Sequence, residues 1–267
     1  MKVLLISANT EQINMPTLPL GLACVGASTR KAGHEVTYLD LMAKEDIKAA
    51  IKKTMEGFRP DVISISVRNI DDQDMSNPEF LLAPVKEVVA TCQSLSTALV
   101  VLGGAVYSIY PQSALESLGA DMGIQGEGQQ SFPFLLDRIE RGRDLSPTPG
   151  LYLPGSRLQR KRAFVRNLDQ LPFPEDHLWS SSFLNADEVF WLPFQTRRGC
   201  PLSCSYCSTA AIEGKSYANG PHRWWLRRYL GNLCRGLVAS ISWTIPSIYL
   251  FPIPEIFASC WCKREWT

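Results

Sequence analysis

The chain has 267 residues, of which 45% are hydrophobic and 20% are charged, and its 27 basic residues nearly balance 26 acidic ones. This composition excludes a wholly disordered or fibrous chain, and the length suffices for one large domain or two modest ones. The formal net charge of +1 gives the chain no strong overall attraction to nucleic acid or to an acidic membrane surface.

The first 142 residues alternate strand and helix patterns. Short apolar runs rich in β-branched residues predict five buried strands, at residues 3–7, 36–39, 62–67, 98–102 and 122–124. Apolar residues that recur every three or four positions predict helices over 44–58 and 79–95, and Gly33 and Gly57 are predicted to cap helix ends. The alternation predicts an α/β domain with an open, doubly wound parallel sheet of five strands and helices on both faces.

Polar and glycine-rich loops follow the predicted strands. In a sheet of this type the ligand lies beyond the carboxyl ends of the strands, where the strand order reverses. A glycine pair lets a backbone pass close to a ligand, although a single Gly-x-Gly is more often a simple turn. Because four such loops share one edge, we predict a ligand site there. Its candidate residues are Ser7, Asn9, Thr10, Ser66, Arg68, Asn69, Gly103, Gly104, Tyr107, Ser108, Gly126, Glu127 and Gly128.

Residues 143–190 are predicted to form a linker, because prolines and a basic run at 157–166 break the helical periodicity. The apolar pieces 151–153 and 163–165 are expected to pair as a small hairpin. A basic run in a neutral chain is typical of a solvated surface strand, so no nucleic-acid partner is expected.

A predicted strand at 191–196 leads into three cysteines with the spacing Cys-x3-Cys-x2-Cys, namely Cys200, Cys204 and Cys207. A structural zinc site would need a fourth ligand, for which His222 and Cys234 are the nearest candidates. A disulfide would leave one thiol over. An iron–sulfur cluster held by three thiolates would leave one iron open, which suits catalysis. The spacing favours the cluster over zinc.

Further residues around this motif are informative. Residues 198–201 read Arg-Gly-Cys-Pro, and Tyr206 directly precedes the third cysteine. With the cysteine spacing, these residues resemble the signature of the radical S-adenosylmethionine enzymes. The resemblance implies that the three cysteines bind a [4Fe-4S] cluster, that S-adenosylmethionine chelates the fourth iron, and that its reductive cleavage gives a 5′-deoxyadenosyl radical. Tyr206 would pack beside the cluster.

The loops at 102–104 and 126–128, placed before the cysteine motif, resemble the cobalamin-binding domain of cobalamin-dependent radical S-adenosylmethionine proteins. The resemblance implies cobalamin as a cofactor, a Rossmann-like domain with flavodoxin-like strand order, and methyl transfer or another radical modification of an unactivated carbon. The Asp-x-His-x-x-Gly motif that supplies a lower axial histidine is absent, and His34 and His177 lie outside the strand-end loops. Cobalamin would therefore be bound without a histidine ligand.

The chain is thus expected to divide into four parts: a cobalamin-binding domain at 1–142, a linker at 143–190, the start of a radical S-adenosylmethionine partial barrel at 191–214, and a tail at 215–267. The tail holds five of the seven tryptophans but only two of the 26 acidic residues. A barrel of six β–α units needs on the order of 180 residues, whereas only 77 run from Trp191 to Thr267. We therefore expect a non-native tail, from a shifted reading frame or a damaged gene, and a chain that is incomplete for catalysis.

Two other expectations concern location and rival functions. The apolar run at 3–6 is too short for a signal peptide, and the stretch 237–251 is interrupted by Pro246 and too short for a membrane span, so a cytoplasmic protein is expected. A non-catalytic cobalamin-binding module and a zinc-stabilised module stay open as alternatives to the enzyme lineage. The substrate cannot be inferred from these residues.

Overall fold

The computed structural model of the chain describes residues 1–10, 19–42, 44–72, 74, 76–156, 161–172, 191–194, 198–218 and 239–242. Within these residues six strands form one sheet in the order β2-β1-β3-β4-β5-β6. The strands are β1 Lys2–Ser7, β2 Glu35–Asp40, β3 Val62–Ser66, β4 Leu99–Gly103, β5 Met122–Ile124 and β6 Leu151–Tyr152. The first five are parallel, as the sequence predicts, and β6 adds an antiparallel edge strand beside β5.

Helices cover both faces of the sheet, which confirms the doubly wound α/β fold. The helices are α1 Leu20–Lys31, α2 Ile47–Phe58, α3 Leu82–Leu95, α4 Ala105–Ile109, α5 Pro111–Leu118, α6 Gly128–Glu140 and α7 Thr209–Glu213. Apolar side chains of α2, α3 and α5 pack on one face of the sheet, and those of α1 and α6 pack on the other. The strands read as continuous apolar runs because a parallel sheet is buried on both faces.

The helix ends follow local chemistry. The Asp46 side chain accepts a hydrogen bond from the backbone N–H of Ala49 at 2.9 Å and thereby caps the start of α2. Gly33, just beyond α1, has a positive φ of 94°, as predicted. The prediction for Gly57 is wrong, because Gly57 lies inside α2 and the left-handed cap is Arg59, with a φ of 52°.

The connecting region differs from the sequence-based expectation. Leu151 and Tyr152 pair with β5, and residues 163–165 belong to no strand, so the predicted hairpin does not form. A short 3-10 helix, Leu168–Gln170, follows. Beyond it, β7 Trp191–Phe194 pairs in parallel with β8 Ala239–Ser242, the arrangement that successive β–α units produce.

Two short segments of the predicted aberrant tail interact with earlier residues. The backbone N–H of Ala218 donates to the carbonyl of Arg198 at 2.8 Å, and Ala218 is buried with Val165 and Leu168. Strand β8 lies farther along the same region. Most of the tail, including all of the stretch 237–251 except β8, lies outside the described residues, so its non-native character stays a prediction. Among the helices that the structure describes, none has the length and apolar character needed to cross a membrane.

Candidate functional site

The strand order reverses between β1 and β3, and the carboxyl ends of four strands form a row there. Across the sheet, Asp40 pairs with Ser7, Ser7 with Ser66, and Ser66 with Gly103. Three of these four residues are among the sequence-predicted candidates. The row marks the edge where a doubly wound sheet binds its ligand, and it is called the switch edge below.

A small cleft lies at this edge, just beyond β1 and β3. The Nδ2 of Asn69 donates a hydrogen bond to the Oδ1 of Asn9 at 3.2 Å. The cleft is lined by Ala8, Asn9, Thr10, Arg68, Asn69, Leu81 and Val85. The structure therefore brings together four of the predicted candidates, Asn9, Thr10, Arg68 and Asn69, from loops about sixty residues apart in the chain.

Asp40 also belongs to the switch edge, although the sequence analysis did not include it. Its Oδ1 accepts a hydrogen bond from the backbone N–H of Met42 at 3.2 Å. Burial raises the pKa of the Asp40 carboxyl, while hydrogen bonds from Met42 and Ser7 and the positive charges of Lys44 and Arg68 oppose that rise. Burial lowers the pKa of Arg68, which the charge of Asp40 opposes. The sequence signal that could have identified Asp40 is an acidic residue directly after a predicted strand.

The two glycines after β4 play different roles. Gly104 has a φ of 104°, and a Cβ there would lie 2.5 Å from the carbonyl oxygen of Val67, so the packing of the chain itself requires glycine. A Cβ on Gly103 would meet no described atom within 4 Å, and its φ is not positive. The protein's own packing thus gives no reason for glycine at 103. The open space beside it fits a ligand that approaches the backbone closely.

Two other candidates are buried beneath the switch edge. Tyr107 is fully buried, and a Cβ on Gly123 would lie 2.2 Å from the Tyr107 Oη. Burial raises the pKa of this phenol above its usual value. The Ser108 Oγ donates to the carbonyl of Gly104 at 2.8 Å and accepts from the backbone N–H of Gly126 at 2.9 Å. In this structure both side chains support the loops from below and do not face the open edge.

The Gly126-Glu127-Gly128 segment also makes protein contacts. Gly126 has a φ of 92°, and a Cβ on Gly128 would lie 2.9 Å from the Cγ2 of Val25 where α6 packs on α1. The buried Glu127 carboxylate accepts a hydrogen bond from Arg198 at 3.1 Å and another from the backbone N–H of Val165. Burial raises the pKa of Glu127, and the charge of Arg198 opposes that rise.

The cysteine loop is closed at its base by hydrogen bonds. The N–H of Cys200 donates to the carbonyl of Gly214 at 3.0 Å, and the N–H of Gly199 donates to the Glu213 Oε2 at 3.0 Å. Gly199 has a φ of 87°, and a Cβ there would lie 2.1 Å from the carbonyl of Ser216. Only glycine fits where residue 199 passes this close to the backbone of Ser216. Together with the hydrogen bonds, this close approach joins the two ends of the loop formed by residues 200–214.

The three thiols on this loop do not converge in the structure. Cys200 is buried, Cys204 is exposed, and Cys207 lies between these extremes. Within the described part of the chain, no three or more His, Cys, Asp or Glu side chains are grouped closely enough to hold a metal ion. Tyr206 is 91% exposed and packs on nothing here. The zinc-ligand alternatives His222 and Cys234 lie outside the described residues.

The donor chemistry nevertheless suits iron. Three soft thiol donors lie on one closed loop, and thiolates are the usual ligands of iron–sulfur clusters. The Sγ of Cys207 lies 3.3 Å from the Oγ1 of Thr209. Hydrogen bonds with the side chain and backbone of Thr209 lower the pKa of the Cys207 thiol. This favours the thiolate, which is the form that binds metal.

The cysteine loop lies beside the switch edge. Helix α7, which begins two residues after Cys207, contacts α4, which begins directly after Gly104. The side chain of Arg162 lies against Gly126 and donates to the carbonyl of Ala211 in α7. Arg162 therefore contacts both regions.

Parts of this chain match known proteins in sequence. The B12 binding domain family matches residues 6–136. An uncharacterized methyltransferase of Pyrococcus horikoshii is 27% identical over 226 residues, which cover 81% of this chain and 47% of that protein. Hopanoid C-3 methylase of Methylococcus capsulatus is 28% identical over 213 residues, covering 74% of this chain and 37% of that protein.

A solved structure has a similar fold. The radical S-adenosylmethionine methyltransferase TsrM from Kitasatospora setae, with tryptophan substrate and an S-adenosylmethionine analogue bound, superimposes with a TM-score of 0.75 at 21% identity. The match covers 91% of this chain and 47% of TsrM. A second TsrM structure contains cobalamin and a [4Fe-4S] cluster. The present chain spans about half the length, or less, of these relatives.

Proposed function

Because residues 6–136 match the B12 binding domain family and the chain shares the fold of a cobalamin-containing radical S-adenosylmethionine methyltransferase, we propose that it binds cobalamin at the switch edge. We further propose that Cys200, Cys204 and Cys207 hold a [4Fe-4S] cluster that takes S-adenosylmethionine on its fourth iron. The observation that supports this best is the adjacency of the two regions, since α7 of the cysteine loop contacts α4 of the switch edge.

The residues proposed to contact cobalamin are four that line the cleft, together with a glycine of the switch edge, namely Asn9, Thr10, Arg68, Asn69 and Gly103. Cobalamin carries amide side chains around its ring, and these need both donors and acceptors. Asn9 and Asn69 offer both. Gly103 leaves room for close approach of the ring.

No described histidine can reach this site from the domain itself. His34 lies at the opposite edge of the sheet, where its Nδ1 is 3.4 Å from the amino terminus of Met1. Cobalamin is therefore proposed to bind without a histidine from residues 1–142 on its cobalt.

Bound together, the cluster with S-adenosylmethionine would supply a radical, and cobalamin would carry a methyl group, a combination suited to methylating an unactivated carbon. The chain's own residues would prepare the site. Thr209 favours the thiolate of Cys207, and Gly199 keeps the cysteine loop closed at its base. Methyl transfer is proposed for the protein as a whole, whose curated relatives are about twice as long as this chain.

A zinc-stabilised module is a third candidate. The second candidate is a non-catalytic cobalamin-binding module. The observation that favours the second is the separation of the three thiols, since the described residues group no three metal-ligating side chains. In that case cobalamin would bind and iron would not.

One experiment separates these functions. The full chain is titrated with hydroxocobalamin and, in parallel, reconstituted anaerobically with iron and sulfide. We expect one cobalamin and about four irons per chain, with an absorption band at about 400 nm. Cobalamin binding with no iron would establish the non-catalytic module, and tight zinc binding in place of iron would establish the zinc-stabilised module. Failure to bind cobalamin would contradict the first two candidates.

A further inference from the structure

Glu127 lies in a segment predicted to contact cofactor, yet its carboxylate is used inside the protein. The Glu127 side chain is only 7% exposed, and that of its partner Arg198 is 11% exposed. One carboxylate oxygen accepts from Arg198 at 3.1 Å, and the other accepts from the backbone N–H of Val165. With both oxygens engaged, this carboxylate has little capacity left for a ligand.

This contact joins three segments that are distant in sequence. Glu127 directly precedes α6, Val165 lies just before the 3-10 helix Leu168–Gln170, and Arg198 lies two residues before Cys200. Arg198 also donates to the Oε1 of Gln129 at 3.4 Å, so two side chains of α6 and the turn before it hold one guanidinium. A planar guanidinium with several donors can bridge such partners in a fixed geometry.

The backbone of Arg198 is fixed as well as its side chain. Its carbonyl accepts the N–H of Ala218, and the next residue, Gly199, donates to Glu213. Cys200 follows directly. The contacts that hold Arg198 therefore also determine the position of Cys200, where the cysteine loop begins.

The other end of the contact reaches the switch edge. The N–H of Gly126, beside Glu127, bonds the Ser108 hydroxyl, and Ser108 in turn bonds the carbonyl of Gly104. A short chain of hydrogen bonds thus runs from the Gly103-Gly104 pair to the residue that precedes the cysteine loop by two positions.

Among the described residues, the ion pairs Lys48–Glu87, Lys52–Glu56 and Arg141–Asp137 are exposed and contribute little. The Glu127–Arg198 pair is buried, and breaking a buried pair by removing one partner is strongly unfavourable because the other charge is left uncompensated. The pair lies between the two proposed cofactor regions. A guanidinium bound to a carboxylate fixes the relative orientation of the segments that carry them, whereas apolar side chains could pack there without doing so.

We propose that Glu127 and Arg198 are positioning residues, whose ion pair fixes the cysteine loop beside the switch edge. This rests on the proposed function for the identity of the cofactors. The placement of the loop by the pair is a property of the protein chain itself and can be measured without either cofactor.

The first arm of the test is hydrogen exchange of the full chain, resolved by peptide. Glu127→Gln keeps an acceptor for the Val165 N–H but removes the charge, and Arg198→Met removes the donor while keeping much of the apolar stem. Each variant is expected to speed exchange in residues 198–214 by about tenfold or more. The double variant should exchange no faster than the faster single variant, because both remove the same contact.

The matched control is Asp137→Asn, which removes an exposed ion pair with Arg141 at 2.6 Å farther along α6. It should leave exchange in 198–214 unchanged. In all variants the buried strands β1 and β4 should exchange at the unaltered rate. Equal acceleration in those strands would mean that the pair merely stabilises the fold, and additive effects would mean that the residues act separately; either result overturns the proposal.

The second arm is spectroscopic and uses the chain loaded with cob(II)alamin and a reduced cluster. Magnetic interaction between the two centres should be present in the unaltered chain and in Asp137→Asn, and weakened in Glu127→Gln although both centres still bind. Undiminished interaction in Glu127→Gln would overturn the positioning role. Arg198→Lys, which retains the charge, replaces Arg198→Met if the latter does not fold, and it should accelerate exchange less than the charge-removing Glu127→Gln. If the unaltered chain binds no cofactor, the proposed function fails, while the exchange arm still tests the pair.

Discussion

The sheet domain and the cysteine segment of this protein are held in place in different ways. In the domain, strands β1, β3 and β4 are mostly buried, and side chains from six helices pack on the sheet from both faces. In residues 198–218, Gly199, Cys200, Gly214 and Ala218 are the buried ones, and most others are exposed. Backbone hydrogen bonds and the Glu127–Arg198 pair hold this segment.

The two regions owe their geometry to different interactions. Apolar burial determines where the switch edge lies, because the sheet fixes the ends of its strands whether or not a ligand is present. The cysteine segment buries too little apolar surface to fix three thiols by packing. Its shape depends on contacts with the domain and, under the proposed function, on the metal that the thiols bind, as in other proteins where metal binding and folding are coupled.

The largest expected effect is on metal binding. Changing Cys200, Cys204 and Cys207 together to Ala should reduce iron uptake from about four irons per chain to none, without changing cobalamin binding. Iron analysis and a hydroxocobalamin titration measure the two quantities. Cys92→Ala, in helix α3, is the control and should retain all iron. Persistent iron in the triple variant would show that the ligands lie elsewhere.

The next effect contrasts the stability of the two regions. Leu102 in β4 is fully buried, whereas Leu202 in the cysteine loop is 51% exposed. Leu102→Ala should lower the free energy of unfolding by about 3 kcal/mol, because it leaves a cavity in the core. Leu202→Ala should change it by less than about 0.5 kcal/mol. Urea unfolding followed by circular dichroism gives both values, and equal losses would remove the contrast between the regions.

A smaller effect concerns ligand binding at the switch edge alone. Gly103→Leu should weaken cobalamin binding by about tenfold or more, roughly 1.4 kcal/mol, because the side chain would occupy the open space beside the backbone. The fold should tolerate it, since no described atom lies within 4 Å of the added Cβ. Gly57→Leu, at an equally open position on α2, is the control for the titration. Unchanged affinity in Gly103→Leu would place the ligand away from β4.

The smallest effect is on one thiol. The Thr209 hydroxyl lowers the pKa of Cys207, so Thr209→Val should raise that pKa and leave less thiolate at neutral pH. Alkylation of Cys207 by iodoacetamide at pH 7 should then slow by about threefold, since the thiolate is the reacting form. At a pH well above the pKa the two rates should converge.

Peptide mass spectrometry follows each cysteine separately in this experiment. Thr91→Val removes a hydroxyl that bonds the Glu87 carbonyl on α3, far from the loop, and should leave the Cys207 rate unchanged. A pH profile that does not move in Thr209→Val would mean that the hydroxyl does not act on this thiol.

Much of the sheet could be predicted from sequence because buried parallel strands leave a continuous apolar signal. The predicted run at 122–124 coincides with β5, and the other four runs agree with β1 to β4 within one residue at each end. Strand β6 was not predicted as a partner of β5, because a two-residue strand carries no periodicity. Helix α4 lies in a segment predicted as a ligand loop, where the Gly-Gly pair suggested irregular backbone.

The site was less predictable, for a different physical reason. The candidates Asn9 and Asn69 do meet, since the ends of neighbouring parallel strands share one edge. Tyr107 and Glu127 were chosen by their loop positions, but a sequence cannot show that one side chain is directed into the core and the other pairs with Arg198, 71 residues away. Such contacts depend on tertiary packing.

The central claim is that cobalamin and an iron–sulfur cluster bind side by side on this chain. The most direct test is electron paramagnetic resonance of the full chain, loaded with cob(II)alamin and a reduced cluster, compared with the chain loaded with each alone. The account predicts a doubly loaded spectrum that differs from the sum of the two single spectra because the spins interact. A spectrum equal to that sum, from a chain shown to contain both cofactors, would contradict it.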